Sequence, residues 1–364
     1  MTVKPNFHGS DLEQISEYYG IPKDSIVSFG ANVNPLGLSS SVKEDLASHL
    51  DIITRYPDRE YRSLRNTIAS YCGADPGHVV VGNGATELIS LLISLRAPKK
   101  ALVVGPTYSE YERELALSGG TATYYNLEAS QNFKLDMDHF LKHLQESVEL
   151  LILCNPNNPT SSALSTGELQ QILAECGRRN IFVMIDETYA EFALETAQIS
   201  AIPLVEQYHN LMVLRGVSKF FAAPGLRFGY GITSDSALLA AIKTHQNPWS
   251  LNSVAAYAGE KMLNDSSYIE KTRCLISAER KRILEKLSQF PQVRTYPASA
   301  NFILVQITRP GLTASQVFEF CIRRHLMIRD CSSFQNLNGE FIRFCIMLPE
   351  DNDRLLHALE ECLK

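Results

Sequence analysis

The middle of the chain is built from short apolar runs that each empty into a polar turn. Ala101 to Val104 runs into Pro106-Thr107-Tyr108, and Leu150 to Cys154 into Asn155-Pro156-Asn157-Asn158-Pro159-Thr160. Ile181 to Ile185 leads to Asp186-Glu187-Thr188-Tyr189, and Leu211 to Leu214 leads through a small-residue turn to Ser218-Lys219. Runs of four or five apolar residues bounded by turn signals predict buried strands. Helical patterns lie among them, Leu88 to Leu95, Ser109 to Leu117 and Thr166 to Arg179. This alternation predicts an α/β domain with a mainly parallel sheet. Such sheets bind ligands at the carboxyl ends of their strands. Asn155, Asn158, Asp186 and Lys219 all fall just past strand ends, so they can converge.

The flanks read differently. A short amphipathic helix, Leu12 to Tyr19, is stopped by Gly20 and Pro22, and another helical pattern covers Tyr61 to Tyr71. Phe29-Gly30-Ala31-Asn32-Val33-Asn34-Pro35-Leu36-Gly37 is a shaped loop. After Asn247-Pro248-Trp249-Ser250, a long helix from Tyr268 to Leu287 leads into a smaller α+β part. Its strands are expected at Val293 to Tyr296, Phe302 to Ile307, Met327 to Arg329 and Phe341 to Ile346. Its helices are expected at Ala314 to Arg324 and Asp351 to Leu363. The predicted organisation is an N-terminal segment, 1–36, a large domain, 37–248, and a small one, 249–364.

At 364 residues the chain can bury a large core. A net charge of -6 without a basic run gives no footprint for nucleic acid or an anionic membrane surface. No apolar run approaches membrane-spanning length, and no apolar signal core follows Met1. The eight cysteines form no Cys-x-x-Cys pair, and several sit in apolar runs as small hydrophobes. Reduced thiols in a cytoplasmic protein are expected, and no metal site is assigned.

A lysine at the end of a buried strand is partly desolvated, which lowers its pKa and makes it a nucleophile for carbonyl groups. Isolated, Ser218-Lys219 reads as an ordinary strand-end pair. Arg227, eight residues on, adds a guanidinium suited to a phosphate monoester. The turn Gly82-Asn83-Gly84-Ala85-Thr86 opens a helix and gathers free backbone N–H groups that bind phosphate. It is not the dinucleotide fingerprint, because Glu87 stands where that pattern needs glycine. An aldehyde and a phosphate on one small molecule describe pyridoxal 5'-phosphate. That cofactor needs a lysine, a carboxylate against its ring nitrogen, a partner for its phenolic oxygen and a phosphate cup. Lys219, then Asp186, then Asn158 with Tyr189, can fill the first three places. Ala85, Thr86, Ser218 and Arg227 can form the cup, and Tyr108 can stack on the ring. Arg329 and Arg343 sit among apolar neighbours in the small domain, which suits anion binding.

These motifs resemble a fold-type I pyridoxal-phosphate enzyme of the aspartate aminotransferase superfamily over essentially the full chain. They include Tyr56-Pro57-Asp58, Pro106-Thr107-Tyr108, Asn155 to Thr160, Asp186-Glu187, Ser218-Lys219 and Gly225-Leu226-Arg227-Phe228-Gly229-Tyr230. The resemblance implies a seven-stranded, mainly parallel sheet flanked by helices, and a homodimer in which Tyr56 reaches the cofactor phosphate of the other subunit. Two families are most similar. His8-Gly9, Phe29 to Gly37, Lys219 to Gly225 and Pro248-Trp249-Ser250-Leu251-Asn252 resemble the threonine-phosphate decarboxylases of cobalamin biosynthesis. Arg329-Asp330-Cys331 and Glu350-Asp351-Asn352-Asp353 resemble histidinol-phosphate aminotransferases, which transfer an amine to 2-oxoglutarate.

The decarboxylase resemblance is the fuller one. It implies decarboxylation of an O-phosphorylated amino acid, L-threonine O-3-phosphate to (R)-1-aminopropan-2-yl phosphate or phosphoserine to ethanolamine phosphate. Arg343 is then expected on the substrate carboxylate, and His8, Asn32 and Arg329 on the substrate phosphate. Two residues depart from both families. Gly216 stands where a cup hydroxyl is usual, and Ser161 stands where a glycine follows Asn-Pro-Thr. A pyridoxal-dependent DNA-binding regulator is disfavoured, since no helix-turn-helix extension and no basic face are evident.

Overall fold

The computed structural model describes Phe7, 9–145 and 147–364. Its strands are β1 (Val27–Ser28), β2 (Val79–Gly82), β3 (Lys100–Gly105), β4 (Thr121–Asn126), β5 (Leu150–Cys154), β6 (Phe182–Asp186), β7 (Leu211–Gly216), β8 (Gly229–Ile232), β9 (Val293–Thr295), β10 (Phe302–Ile307), β11 (Leu326–Met327), β12 (Arg329–Asp330) and β13 (Phe341–Cys345). Seven of them form one sheet in the order β2-β8-β7-β6-β5-β3-β4. Only β8 runs against the rest. Every residue of β5, β6 and β7 is buried, as expected for central strands covered on both faces.

The carboxyl ends of β2, β5, β6 and β7 therefore share one edge. The turn before helix Ala85–Arg96, the Asn155 to Thr160 loop, Asp186 and the Ser218-Lys219 turn all leave from it. The helix comes close because Gly229 carries no side chain. A Cβ there would stand 2.3 Å from the Ala85 nitrogen.

A second sheet, antiparallel and ordered β12-β13-β10-β9, lies in the C-terminal part. The N-terminal segment joins it: β1 pairs in parallel with β11, and the Cys345 N–H donates to the Phe29 carbonyl at 2.8 Å. The strand expected at Met327 to Arg329 is two strands. The chain changes partner at Ile328, from β1 to β13. One consequence is that Arg329 lies directly opposite Arg343.

Sequence periodicity missed β1, β4 and helices Ser40–Ser48, Met137–His143, Ser236–His245 and Ser253–Leu263. Strand β4 is an edge strand with one fully buried residue, so it shows no apolar run. Helix Ser253–Leu263 buries mostly Ala and Gly, a face too small to read as hydrophobic. It packs on helices Ser40–Ser48 and Arg62–Cys72, just past the boundary expected at 248. A Cβ at Gly259 would stand 2.6 Å from the Phe228 ring, so this approach needs glycine. No helix among the described residues is long and apolar enough to cross a membrane.

Candidate active site

The edge where four strands end opens into a cavity of about 720 Å³, walled on its other side by β12, β13 and the Gly30 to Asn32 loop. Its size and mixed lining suit a small polar ligand. Lys219, on the turn after β7, is partly buried and donates from Nζ to the Ala31 carbonyl at 2.7 Å. Burial first, and then the neighbouring Arg343 charge, bring its pKa down to about 8. A fraction of the amine is thus free at neutral pH, the state in which it attacks a carbonyl.

Asp186 closes β6 and is heavily bonded. Its Oδ2 accepts from the Tyr111 hydroxyl at 2.6 Å, and its Oδ1 from the Thr188 N–H at 2.9 Å and the Thr188 hydroxyl at 2.5 Å. Sequence reading missed Tyr111 and Thr188. Tyr111 lies on helix Glu110–Leu117, three residues after Tyr108. The two rings meet edge to face at 5.5 Å. Burial raises the Tyr108 hydroxyl to about 12, so it stays neutral.

The opposite wall is basic and tightly held. Arg343 is 4 % exposed. It donates to the Asn158 Oδ1 and, at 2.7 Å, to the Gly30 carbonyl, and its guanidinium lies 5.3 Å from the Phe302 ring. Arg329 donates to the Phe7 carbonyl and, at 2.7 Å, to the Ser333 hydroxyl. Burial and the Arg343 charge push the Arg329 pKa down. Like charges directly opposite on paired strands repel, so two arginines in register are stabilised by an anion between or beside them.

Of the residues picked from the sequence, Asn32, Ala85, Thr86, Tyr108, Asn158, Asp186, Tyr189, Ser218, Lys219, Arg227, Arg329 and Arg343 all line this cavity. Asn32 has φ 56°, and its Nδ2 donates to the Tyr189 hydroxyl at 3.3 Å. Asn155 faces away: its side chain bonds Leu164 and the Ile199 carbonyl and shapes the loop that carries Asn158. His8 lies outside the described residues. Tyr56 is 82 % exposed and stacks on Trp249 at 4.8 Å, in an open surface cleft that the chain does not fold over its own site.

The cavity fits pyridoxal phosphate on its own atoms. Helix Ala85–Arg96 points its first N–H groups into it, next to the Arg227 guanidinium, which sits so close to Gly84 that a Cβ there would lie 2.6 Å from Nη2. The buried Thr107 hydroxyl, Asn32 Oδ1 and Arg343 Nε have no hydrogen-bond partner among the described residues. Such orphaned groups are rare unless a ligand completes them. Gly216 also lines the cavity, and a Cβ there would stand 3.3 Å from the Phe228 carbonyl. A side chain there would press on the Phe228 carbonyl, so the neighbouring backbone would have to give by a few tenths of an ångström.

The Lys219 shift carries a prediction. Only the neutral amine attacks the cofactor aldehyde, so protein stripped of cofactor should take it up faster as pH rises. The rate should level off above about 8, where the lysine is neutral. Stopped-flow mixing with pyridoxal phosphate measures it. A rate still climbing in proportion to hydroxide towards the ordinary lysine value of 10.5 would show that the wall does not tune this amine.

Comparison with known proteins agrees with the geometry. The chain is 34% identical over 363 residues to the threonine-phosphate decarboxylase of Salmonella typhimurium, covering 100% of this chain and 98% of that one. It is 37% identical over 329 residues to a putative threonine-phosphate decarboxylase of Caldanaerobacter subterraneus subsp. tengcongensis, covering 90% and 88%. Among solved structures, the histidinol-phosphate aminotransferase from Clostridium acetobutylicum superposes with a TM-score of 0.85 at 31% identity, over 91% of this chain and 97% of that one. The family Aminotransferase class I and II matches residues 24–359, nearly the whole chain. A strand-end lysine of lowered pKa, a three-fold bonded aspartate and a helix-capped phosphate cup are what that family needs for its cofactor, and the chain belongs to it as a pyridoxal-phosphate-dependent member of the aminotransferase class I and II family.

Proposed function

We propose that the enzyme decarboxylates an O-phosphorylated hydroxy amino acid, with L-threonine O-3-phosphate as substrate and (R)-1-aminopropan-2-yl phosphate and CO₂ as products. The two relatives named above as threonine-phosphate decarboxylases support this reading. The observation that carries it is the pair Arg329 and Arg343, in register on β12 and β13 and both lining the cavity that holds Lys219. Two guanidiniums side by side suit a substrate with two anionic groups, a carboxylate and a phosphate.

Lys219 would hold pyridoxal phosphate covalently, Asp186 its ring nitrogen, and Asn158 with Tyr189 its phenolic oxygen. The N–H groups of Ala85 and Thr86, with Ser218 and Arg227, would hold its phosphate, and Tyr108 would cover its ring. When bound, the cofactor supplies an electron sink for the pair left at Cα. Arg343 would bind the substrate carboxylate and orient it for loss of its bond to Cα. Its contacts to Asn158 and Gly30 would hold that guanidinium in place. Arg329 holds the substrate phosphate, with His8 as a further donor. The proton that replaces CO₂ at Cα comes from Lys219, whose pKa of about 8 leaves it able to give and take protons at neutral pH.

Tyr56, Trp249, Ile53 and Leu50 form an exposed apolar surface, which supports a homodimer in which Tyr56 of one copy completes the phosphate cup of the other. The eight free cysteines suit the cytoplasm. The product would then serve the nucleotide loop of cobalamin, as the decarboxylase resemblance implies. Amine transfer from histidinol phosphate is the second reading, favoured by the 31% identity to the Clostridium acetobutylicum aminotransferase. There Arg343 would hold the carboxylate of 2-oxoglutarate in the ring plane.

The substrate phosphate is remote from the breaking bond, so its binding energy is available to hold the carboxylate in its strained pose. Unphosphorylated threonine should therefore be a poor substrate in kcat as well as KM. Arg329→Ala should lower kcat on phosphothreonine by about 10²-fold, the scale for losing one charge-stabilising group. Steady-state CO₂ release measures both. A variant whose KM rises while kcat holds would show that Arg329 only captures substrate.

A further inference from the structure

Ser161 stands where the sequence resemblance implies glycine, and its surroundings give the serine a role. It is fully buried, with φ 60°, a left-handed backbone that favours glycine. A serine kept there is held by what its side chain does. Its hydroxyl accepts from the Ser299 N–H at 3.1 Å and the Ala300 N–H at 2.9 Å. Its carbonyl also accepts from the Ser299 N–H, at 2.8 Å. A glycine would keep only that last contact.

The two partners belong to different sheets. Ser161 ends the loop after β5 that carries Asn158, and its own N–H donates to the Asn157 carbonyl at 2.7 Å. Ser299 and Ala300 lead into β10 of the second sheet, whose first residue, Phe302, packs 4.9 Å from the Tyr189 ring and under the Arg343 guanidinium. The same short segment is fixed from behind by Arg280, which donates to the Ala300 carbonyl at 3.0 Å and the Ser299 carbonyl at 3.2 Å. The next residue, Asn301, donates to the Asn32 carbonyl at 3.0 Å, and Asn32 in turn donates to Tyr189. The hydroxyl of Ser161 thus bridges the loop of Asn158 to the segment that sets Phe302, Asn32 and Arg343.

We propose that Ser161 is a positioning residue that fixes the carboxylate-binding Arg343 relative to Asn158 through the main chain of Ser299 and Ala300. This rests on the reading of Arg343 as the carboxylate partner in decarboxylation. Without the hydroxyl, the two sheets keep their cores but lose two of three ties at this junction, and the arginine would hold the substrate carboxylate less firmly. Misplacement of that order slows chemistry far more than it weakens binding.

The test uses the full-length enzyme loaded with pyridoxal phosphate, as Ser161→Gly and Ser161→Ala. Glycine suits φ 60°, so that variant is expected to fold even if the alanine variant does not. Both should speed amide hydrogen exchange in the segment carrying Ser299 and Ala300 while leaving β6 unchanged. Both should lower kcat for CO₂ release from phosphothreonine roughly tenfold with KM within about twofold. An unchanged kcat beside faster local exchange would overturn the proposal and leave Ser161 a stability residue. Recovery of kcat in the glycine variant alone would also overturn it, since backbone strain and not the lost hydroxyl would then be the cause. If the parent enzyme releases no CO₂ but transfers amine from histidinol phosphate, the decarboxylase reading fails on its own. The exchange result and the kcat for amine transfer then judge Ser161 separately.

Discussion

Lys219→Ala is expected to cut turnover on the order of 10⁴-fold, the upper range for losing a group that transfers protons at the reacting atom, and to leave the protein folded. The lysine sits on a turn after β7, which is buried between β6 and β8 whether or not the side chain is present. What disappears is the single amine of lowered pKa facing the cofactor cavity. The residues proposed for the phosphate cup, Ala85, Thr86, Ser218 and Arg227, would be untouched, because they do not depend on the lysine. The variant should still bind pyridoxal phosphate, now reversibly. Borohydride reduction followed by peptide mapping separates the two states: in the parent the cofactor becomes fixed on Lys219, and in the variant none is fixed. A cofactor fixed on a different lysine would overturn the assignment of the site.

Asp186→Ala is expected to cost about 10³-fold in kcat, whereas Tyr189→Phe should stay within about tenfold. In the proposed site the aspartate would pair with the ring nitrogen, and an ionic contact in a water-poor site acts with little screening. Its two oxygens accept from Tyr111 and from both donors of Thr188, which fix the carboxylate in place. Tyr189 supplies one neutral hydrogen bond, and Asn158 and Asn32 stand beside it. Burial pushes the Tyr189 hydroxyl well above its ordinary value, so it acts as a donor and not as a base. Single-turnover kinetics on saturated enzyme compare the two. Equal losses would mean that the electron sink rests on a different group.

The catalytic edge was legible in the sequence because strand ends in a parallel sheet are marked twice, by an apolar run and by the polar turn that ends it. Asp186, Asn158 and Lys219 each carry that double mark, and the fold brings all three to one cavity. Tyr111 carried no such mark. It lies on a helix, buried by its ring, and only the third dimension shows its hydroxyl on Asp186. The register of Arg329 against Arg343 was equally hidden, because it depends on the partner change at Ile328. Asn32 was recognised as a site residue, but its hydrogen bond to Tyr189 was hidden, since a loop with φ 56° gives no sequence rule for where its side chain turns. Helix Ser253–Leu263 was missed because close packing on Phe228 selects Ala and Gly, which erases the apolar stripe.

The central claim is that the bond from Cα to the carboxylate breaks and the bond from Cα to hydrogen does not. Phosphothreonine incubated with the enzyme in D₂O, with no oxo acid present, tests it in one mass spectrum. Decarboxylation predicts CO₂ and 1-aminopropan-2-yl phosphate that keeps its original Cα hydrogen and gains a single deuterium beside it. An enzyme that leaves the carboxylate in place, exchanges the Cα hydrogen for deuterium, and forms product only when 2-oxoglutarate is added would contradict the account.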